Sequence, residues 1–182
     1  MDPQLSKRID ILLEGYKTLK SEQQARIGFR DNLLYVMLGA AGGILAFALS
    51  KDGPNAALLA IPWVALILGW TYLVNDEKIS AIGQYIRGAL EPELRNLTTS
   101  SESLLGWEVA HRSDQYRRER KFVQLCIDIL TFAGSGLAAI ALYLVREPQP
   151  IFAVHWVCGI EAVIMVFLAF EISTYCDWTR GA

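Results

Sequence analysis

The chain has 182 residues, a formal charge of −2, 53% apolar and 20% charged residues, and a positive mean hydropathy of +0.28. Soluble domains carry charge nearer about 25%, so this is the composition of charge-free segments averaged with charged ones. It excludes a disordered chain, a secreted disulfide scaffold and an ordinary soluble enzyme.

Residues 1–32 are expected to form a cytoplasmic amphipathic helix. Asp2-Pro3 supplies an N-cap and a first-turn proline. Leu5, Ile9, Leu12, Tyr16, Leu19 and Ile27, with Gln23 filling one place, recur at spacings of three and four in a near-heptad seam. That seam packs on the protein's own cytoplasmic segment, pairs with a second copy, or lies on the membrane surface. Lys, Arg, Asp and Glu stud this stretch and leave no cleavable signal peptide. The first span then acts as its own insertion signal, with no breaker to separate it from the helix before it.

Four apolar runs follow: Leu33–Leu49 (17 residues), Ala56–Val74 (19), Ile129–Val145 (17) and Ile151–Phe170 (20), the last interrupted by His155 and Glu161. A bilayer core needs ~17–25 such residues per helix. The fold expected is therefore an all-α polytopic membrane protein with four transmembrane helices in two hairpins. Spans one and two occupy residues 33–74, and spans three and four occupy 122–182 with a short tail. Lys51-Asp52-Gly53-Pro54-Asn55 and Arg146-Glu147-Pro148-Gln149-Pro150 read as tight outer turns. Six of the 17 Lys and Arg lie in residues 1–32 and eight in 75–121, against Lys51 and Arg146 in those turns. By the positive-inside rule both termini and the 75–121 segment face the cytoplasm. Gly39-x-x-x-Gly43 with Gly42 and Ala46, and Gly134-x-x-x-Ala138 with Gly136, predict close helix approach in spans one and three. Pro62 predicts a kink in span two.

The 75–121 segment opens with a helical stripe, Ile79, Ile82, Ile86, Leu90, Leu94 and Leu97. Pro92 divides it into two short helices, because its ring clashes with the carbonyl four residues earlier. Thr99-x-x-Glu102 reads as a capping box, opening a helix that meets no strong breaker from about Ser100 through span three. Arg112, Arg117, Arg118, Arg120 and Lys121 place five cations within ten residues, against Asp114 and Glu119, while the whole segment has eight bases and eight acids. Juxtamembrane cations enforce topology and meet anionic lipid; repeated around an oligomer axis, they also make a site for a polyanion. Trp107, His111 and Tyr116 either stack on bases or pack. All these bases cannot face one way on a helix.

Charged and polar residues inside the spans are the other candidates. Glu161 lies ~15 Å deep, near the midplane, and Asp128 about two turns inside span three. Intramembrane carboxylates are costly and face a bundle interior, a partner or water. Asp128, Thr131 and Ser135 share one helix face, lining a pore or a helix contact. Glu161 serves an ion path, gate or proton site, or makes a structural hydrogen bond, and His155 sits near the outer interface. Cys126, Cys158 and Cys176 are odd in number, widely spaced, and read as buried apolar thiols. Glu108-x-x-His111 matches half of a di-metal site whose other half is missing. No nucleotide fingerprint or zinc-protease motif appears, so no enzyme, metal or cofactor is expected.

Leu13-Glu14-Gly15-Tyr16-Lys17-Thr18-Leu19, Asn75-Asp76, Ile82-Gly83-Gln84-Tyr85-Ile86 and Gly106-Trp107-Glu108 resemble a family of small bacterial four-span proteins, similar to the transmembrane effector of the Hailong anti-phage defence system. The resemblance covers roughly residues 12–145 in short pieces, none of them a ligand motif. It implies an oligomeric channel in the bacterial inner membrane, held closed by single-stranded oligodeoxyadenylate that a partner nucleotidyltransferase makes. The expectation is thus a homo-oligomer, a tetramer, controlled by a cytoplasmic oligonucleotide and causing membrane disruption or growth arrest. Trp107, Arg112, Tyr116, Arg117, Arg118, Arg120 and Lys121 would bind the ligand, and Asp128, Thr131, Ser135 and Glu161 would form pore or gate. A non-conducting scaffold and a small proton-coupled transporter using Glu161 are the rival readings.

Overall fold

A computed structural model of the chain describes residues 3–100, 102–106 and 116–175, with Arg117 and Arg118 described by their backbone alone. The described residues are helical, without strands. In chain order they form α1 (Pro3–Ala48), a 3-10 turn (Asn55–Leu59), α2 (Ala60–Tyr85), a π turn (Ile86–Leu90) and α3 (Glu91–Thr98). Then come α4 (Arg117–Ile129), a second π turn (Leu130–Gly134), α5 (Ser135–Arg146) and α6 (Phe152–Tyr175). Four helical rods are long and apolar enough to cross a membrane: Pro3–Ala48, Asn55–Thr98, Glu119–Arg146 and Phe152–Tyr175. Their outward surfaces are apolar, with Ile67 63% and Val163 70% exposed. An apolar outer surface of this extent fits lipid better than water.

α1 is one unbroken helix of 46 residues, ~69 Å long at 1.5 Å per residue. It runs straight from the N-terminal seam into the first span. Leu5, Ile9, Leu12, Tyr16, Leu19 and Gln23 are half-buried along it, and α1 packs against α2 and α3 of the same chain. Ile27 departs from the expected seam. It is 38% exposed, while Arg26 and Arg30 take the inward positions because polar partners on α2 await them.

Ile79, Ile82, Ile86, Leu90, Leu94 and Leu97 form the expected inward stripe. A helix does start at Glu91, as expected, but it continues one rod from Asn55 to Thr98 rather than following a break. The π turn widens the helix over Ile86–Leu90, and Pro92 then sits in the first turn of α3. Gly88, whose carbonyl the Pro92 ring would strike in a regular helix, lies inside the widened turn. The expected capping box is also corrected. Thr99 ends α3 as its C-cap, at φ 53° in the left-handed region, with the Ser100 N–H donating back to the Arg95 carbonyl at 3.2 Å. The helix entering span three starts at Arg117, after Tyr116 at φ −88°, ψ 2°, rather than at Ser100. Pro62 falls at the third residue of α2, where an α-helix has no intrahelical N–H bond to lose, so the reason for expecting a kink there is removed.

Tight packing is concentrated where spans two, three and four meet. A Cβ on Gly69 of α2 would stand 2.9 Å from Leu168 Cδ2 of α6 and 3.1 Å from Phe132 Cγ of the second π turn. Phe132 also packs on Tyr72, ring centroids 5.2 Å apart. Gly136 of α5 likewise abuts Met165 and Pro62. By contrast, Cβ atoms on Gly39, Gly42 and Gly43 would meet nothing, so the small-residue face of span one points away from the bundle.

Candidate functional site

Two groups of polar side chains sit inside the spans or at their charged end. The first starts at Arg30 of α1. Its Nη1 donates to Asp76 Oδ1 at 2.6 Å, and its Nε and Nη2 donate to Asp31 Oδ1 at 3.1 and 2.9 Å. The guanidinium carbon lies 5.7 Å from the Tyr72 ring centroid, within the range of a cation–π contact. One turn earlier, Arg26 Nη1 donates to Asn75 Oδ1 at 3.3 Å, and the Asn75 amide in turn donates to the Thr71 carbonyl at 2.8 Å. From the other side, Gln124 Nε2 of α4 donates to Asp128 Oδ1 at 2.8 Å and reaches the Tyr72 hydroxyl at 3.4 Å. The Tyr72 hydroxyl faces the same carboxylate. A line of polar groups therefore crosses from α1 over α2 to α4.

The second group is a single side chain. Glu161 belongs to the inward stripe of α6, with Cys158, Met165, Leu168 and Ile172. It is 1% exposed, and neither carboxyl oxygen has a hydrogen-bond partner. The Trp63 indole N–H of α2 lies nearby without meeting hydrogen-bond geometry. Asp128 is thus supplied with donors, and Glu161 with none.

The chain matches no protein-family model, no curated protein and no solved structure.

The structure brings together only part of the residues expected from sequence. Trp107 and Arg112 lie outside the described residues. Arg117 and Arg118 are the first two residues of α4, with Arg120 and Lys121 in the same opening stretch and Tyr116 as its N-cap. Asp128 is buried, whereas Thr131 and Ser135 are only half-buried. The expected single face of Asp128, Thr131 and Ser135 is not continuous, because the π turn inserts a residue between its ends. Phe132 and Ala133 are buried in succession, and the inward positions then become Gly136, Ala139, Ile140 and Tyr143. The Ser135 hydroxyl folds back to donate to the Thr131 carbonyl at 2.6 Å or the Phe132 carbonyl at 3.0 Å. It serves the widened helix. His155 is exposed.

Arg30, Tyr72, Asn75, Asp76 and Gln124 were not among the expected site residues. A signal was present for two of them: Arg30 and Asp76 flank spans one and two at the same end, with opposite charge. Among the described residues, no group of three His, Cys, Asp or Glu side chains is placed to hold a metal ion.

Proposed function

We propose that this chain is an oligomeric, channel-type membrane effector of bacterial antiviral defence. Both termini and the 75–121 segment face the cytoplasm, the spans pair as two hairpins, and a cytoplasmic anionic oligonucleotide controls opening. The observation that carries the reading is the position of Gln124. It lies on α4 one turn beyond Lys121, and it bonds Asp128 and reaches Tyr72. A helix moves as a rigid unit, so a polyanion bound across Arg117, Arg118, Arg120 and Lys121 would hold Gln124 on Asp128 and Tyr72 with them. Its departure would free the helix and loosen the polar contact between spans two and three. The resemblance to Hailong-type effectors supports the same direction of control, with bound ligand favouring the closed form and its loss leading to membrane leakage and growth arrest.

The test is ion flux from liposomes holding the purified full chain, with and without single-stranded oligodeoxyadenylate. Flux is expected without the oligonucleotide and suppressed with it. Gln124→Ala should leak in both conditions. Binding of the labelled oligonucleotide should fall roughly 50-fold between about 50 and 200 mM salt if about four phosphates are contacted, and should weaken further in Arg117→Glu with Arg118→Glu. Liposomes that never leak, in either condition, overturn the channel reading. Salt-independent or absent binding overturns the ligand.

A further inference from the structure

We infer that Glu161 is a proton-binding site, and that its bound proton is what lets spans two, three and four close on one another. The inference rests on the packed bundle alone and is independent of oligonucleotide control. Glu161 lies on the inward stripe of α6, between Cys158 and Met165. Both carboxyl oxygens are buried and make no hydrogen bond, with the Trp63 indole N–H of α2 close by. An ionised carboxylate enclosed in this way would be very costly, since charge taken out of water needs a partner or donors. A neutral acid has no such cost and can be enclosed by apolar neighbours.

The surroundings supply no countercharge. On α6 itself, the titratable neighbour is the Cys158 thiol, and beyond it on α5 the Tyr143 phenol acts on that thiol. Neither compensates a negative charge. α2 contributes Trp63 and Pro62, and α5 contributes Gly136 one turn along; none of these ionises. Asp128 of α4 is occupied with Gln124. The salt bridges of Arg8, Lys17, Arg26 and Arg30 all go to other acids. The smallest cation that completes the site is a proton, and the close approach around Gly136 and Met165 gives a larger one little room. Releasing the proton would require water or a donor to reach Glu161, and so require the three spans to part. The packed form therefore holds a proton that the opened form gives up. Its stability is greatest at low pH and falls as pH rises.

Infrared spectroscopy of the full chain in lipid tests this directly. The carbonyl stretch of a protonated carboxylic acid is expected at neutral pH in the native chain and in Asp128→Asn, and is expected to be missing from Glu161→Gln. Thermal unfolding supplies the second measurement. Between about pH 6 and about pH 9, the native chain should lose about 5 °C or more relative to Glu161→Gln. Should the glutamine variant fail to fold, Glu161→Met fills a similar volume with no buried polar atom, and should serve as the pH-insensitive reference. A native spectrum with no band dependent on Glu161, or a melting difference that stays flat with pH, overturns the inference. Neither measurement depends on conductance or on nucleotide, so its failure is distinct from failure of the channel reading.

Discussion

Arg30 holds two carboxylates, with Asp76 on the neighbouring helix at 2.6 Å and Asp31 on its own at 2.9 Å. The two cases differ in worth. Asp31 is an exposed neighbour along the same helix, and pairs of that kind contribute little. The Arg30 and Asp76 side chains are 21% and 30% exposed, so water screens them less and the pair joins α1 to α2. Removing Asp76 leaves a half-buried guanidinium with a weaker partner; removing Arg30 also strips the cation from the Tyr72 ring. A double-mutant cycle of Arg30→Ala and Asp76→Ala, read by unfolding in mixed micelles, should give a coupling of about 1 kcal/mol. The same cycle on Arg30 and Asp31 should give less than about half of that. Equal couplings would mean that the contact between α1 and α2 is no stronger than a surface pair.

At the scale of elements, the joint of Gly69 with Phe132 and Leu168 sets how closely spans two, three and four pack. Phe132 is wholly buried in the second π turn and cannot swing away from a new methyl group. Gly69→Ala should therefore cost about 1–3 kcal/mol through overpacking, seen as a lower melting temperature. Gly42→Ala, on the open face of span one, should change it by less than about 0.5 kcal/mol. If both substitutions are neutral, the close approach at Gly69 is not built as described. This contrast also marks what sequence could reveal. Span lengths were legible because some twenty apolar residues in a row average out local detail, and the seam from Leu5 to Gln23 was legible because it keeps one period. A glycine motif says only that a close approach is possible. Gly39 and Gly43 carry the motif yet face outward, while Gly69 carries none and makes the contact. The π turns were not legible at all. Each inserts one residue into a periodic pattern, and the face assigned to Asp128, Thr131 and Ser135 lost its continuity for that reason. Gln124 was overlooked because, beside a basic stretch, one polar residue looks like more solvated surface.

For the whole molecule, the proposed orientation rests on charge set against helix number. If all four long apolar helices cross the bilayer, both termini fall on one side, and the segments that would share that side hold fourteen of the 17 Lys and Arg, in residues 1–32 and 75–121. Carrying those charges across a bilayer is opposed by the asymmetry that orients short loops. The two turns at the other end are short and tied together: Arg146 Nε donates to Asn55 Oδ1 at 2.8 Å, and the Asn55 amide reaches Glu147 Oε2 at 3.4 Å. Their shared network puts both turns at one end of the bundle. Single cysteines in a background lacking Cys126, Cys158 and Cys176 make this measurable. Lys51→Cys and Gln149→Cys should react with an impermeant maleimide added to spheroplasts. Gln24→Cys on α1 and Asn96→Cys on α3, both exposed positions, should react only after the membrane is opened. Labelling of Asn96→Cys in intact spheroplasts would invert the molecule and place the basic start of α4 outside, where a nucleotide made in the cytoplasm cannot reach it. Labelling of Lys51→Cys without Gln149→Cys would break the pairing of the two turns, and with it the four-span count. The orientation is thus a condition for the ligand reading, and it is tested without any knowledge of the ligand.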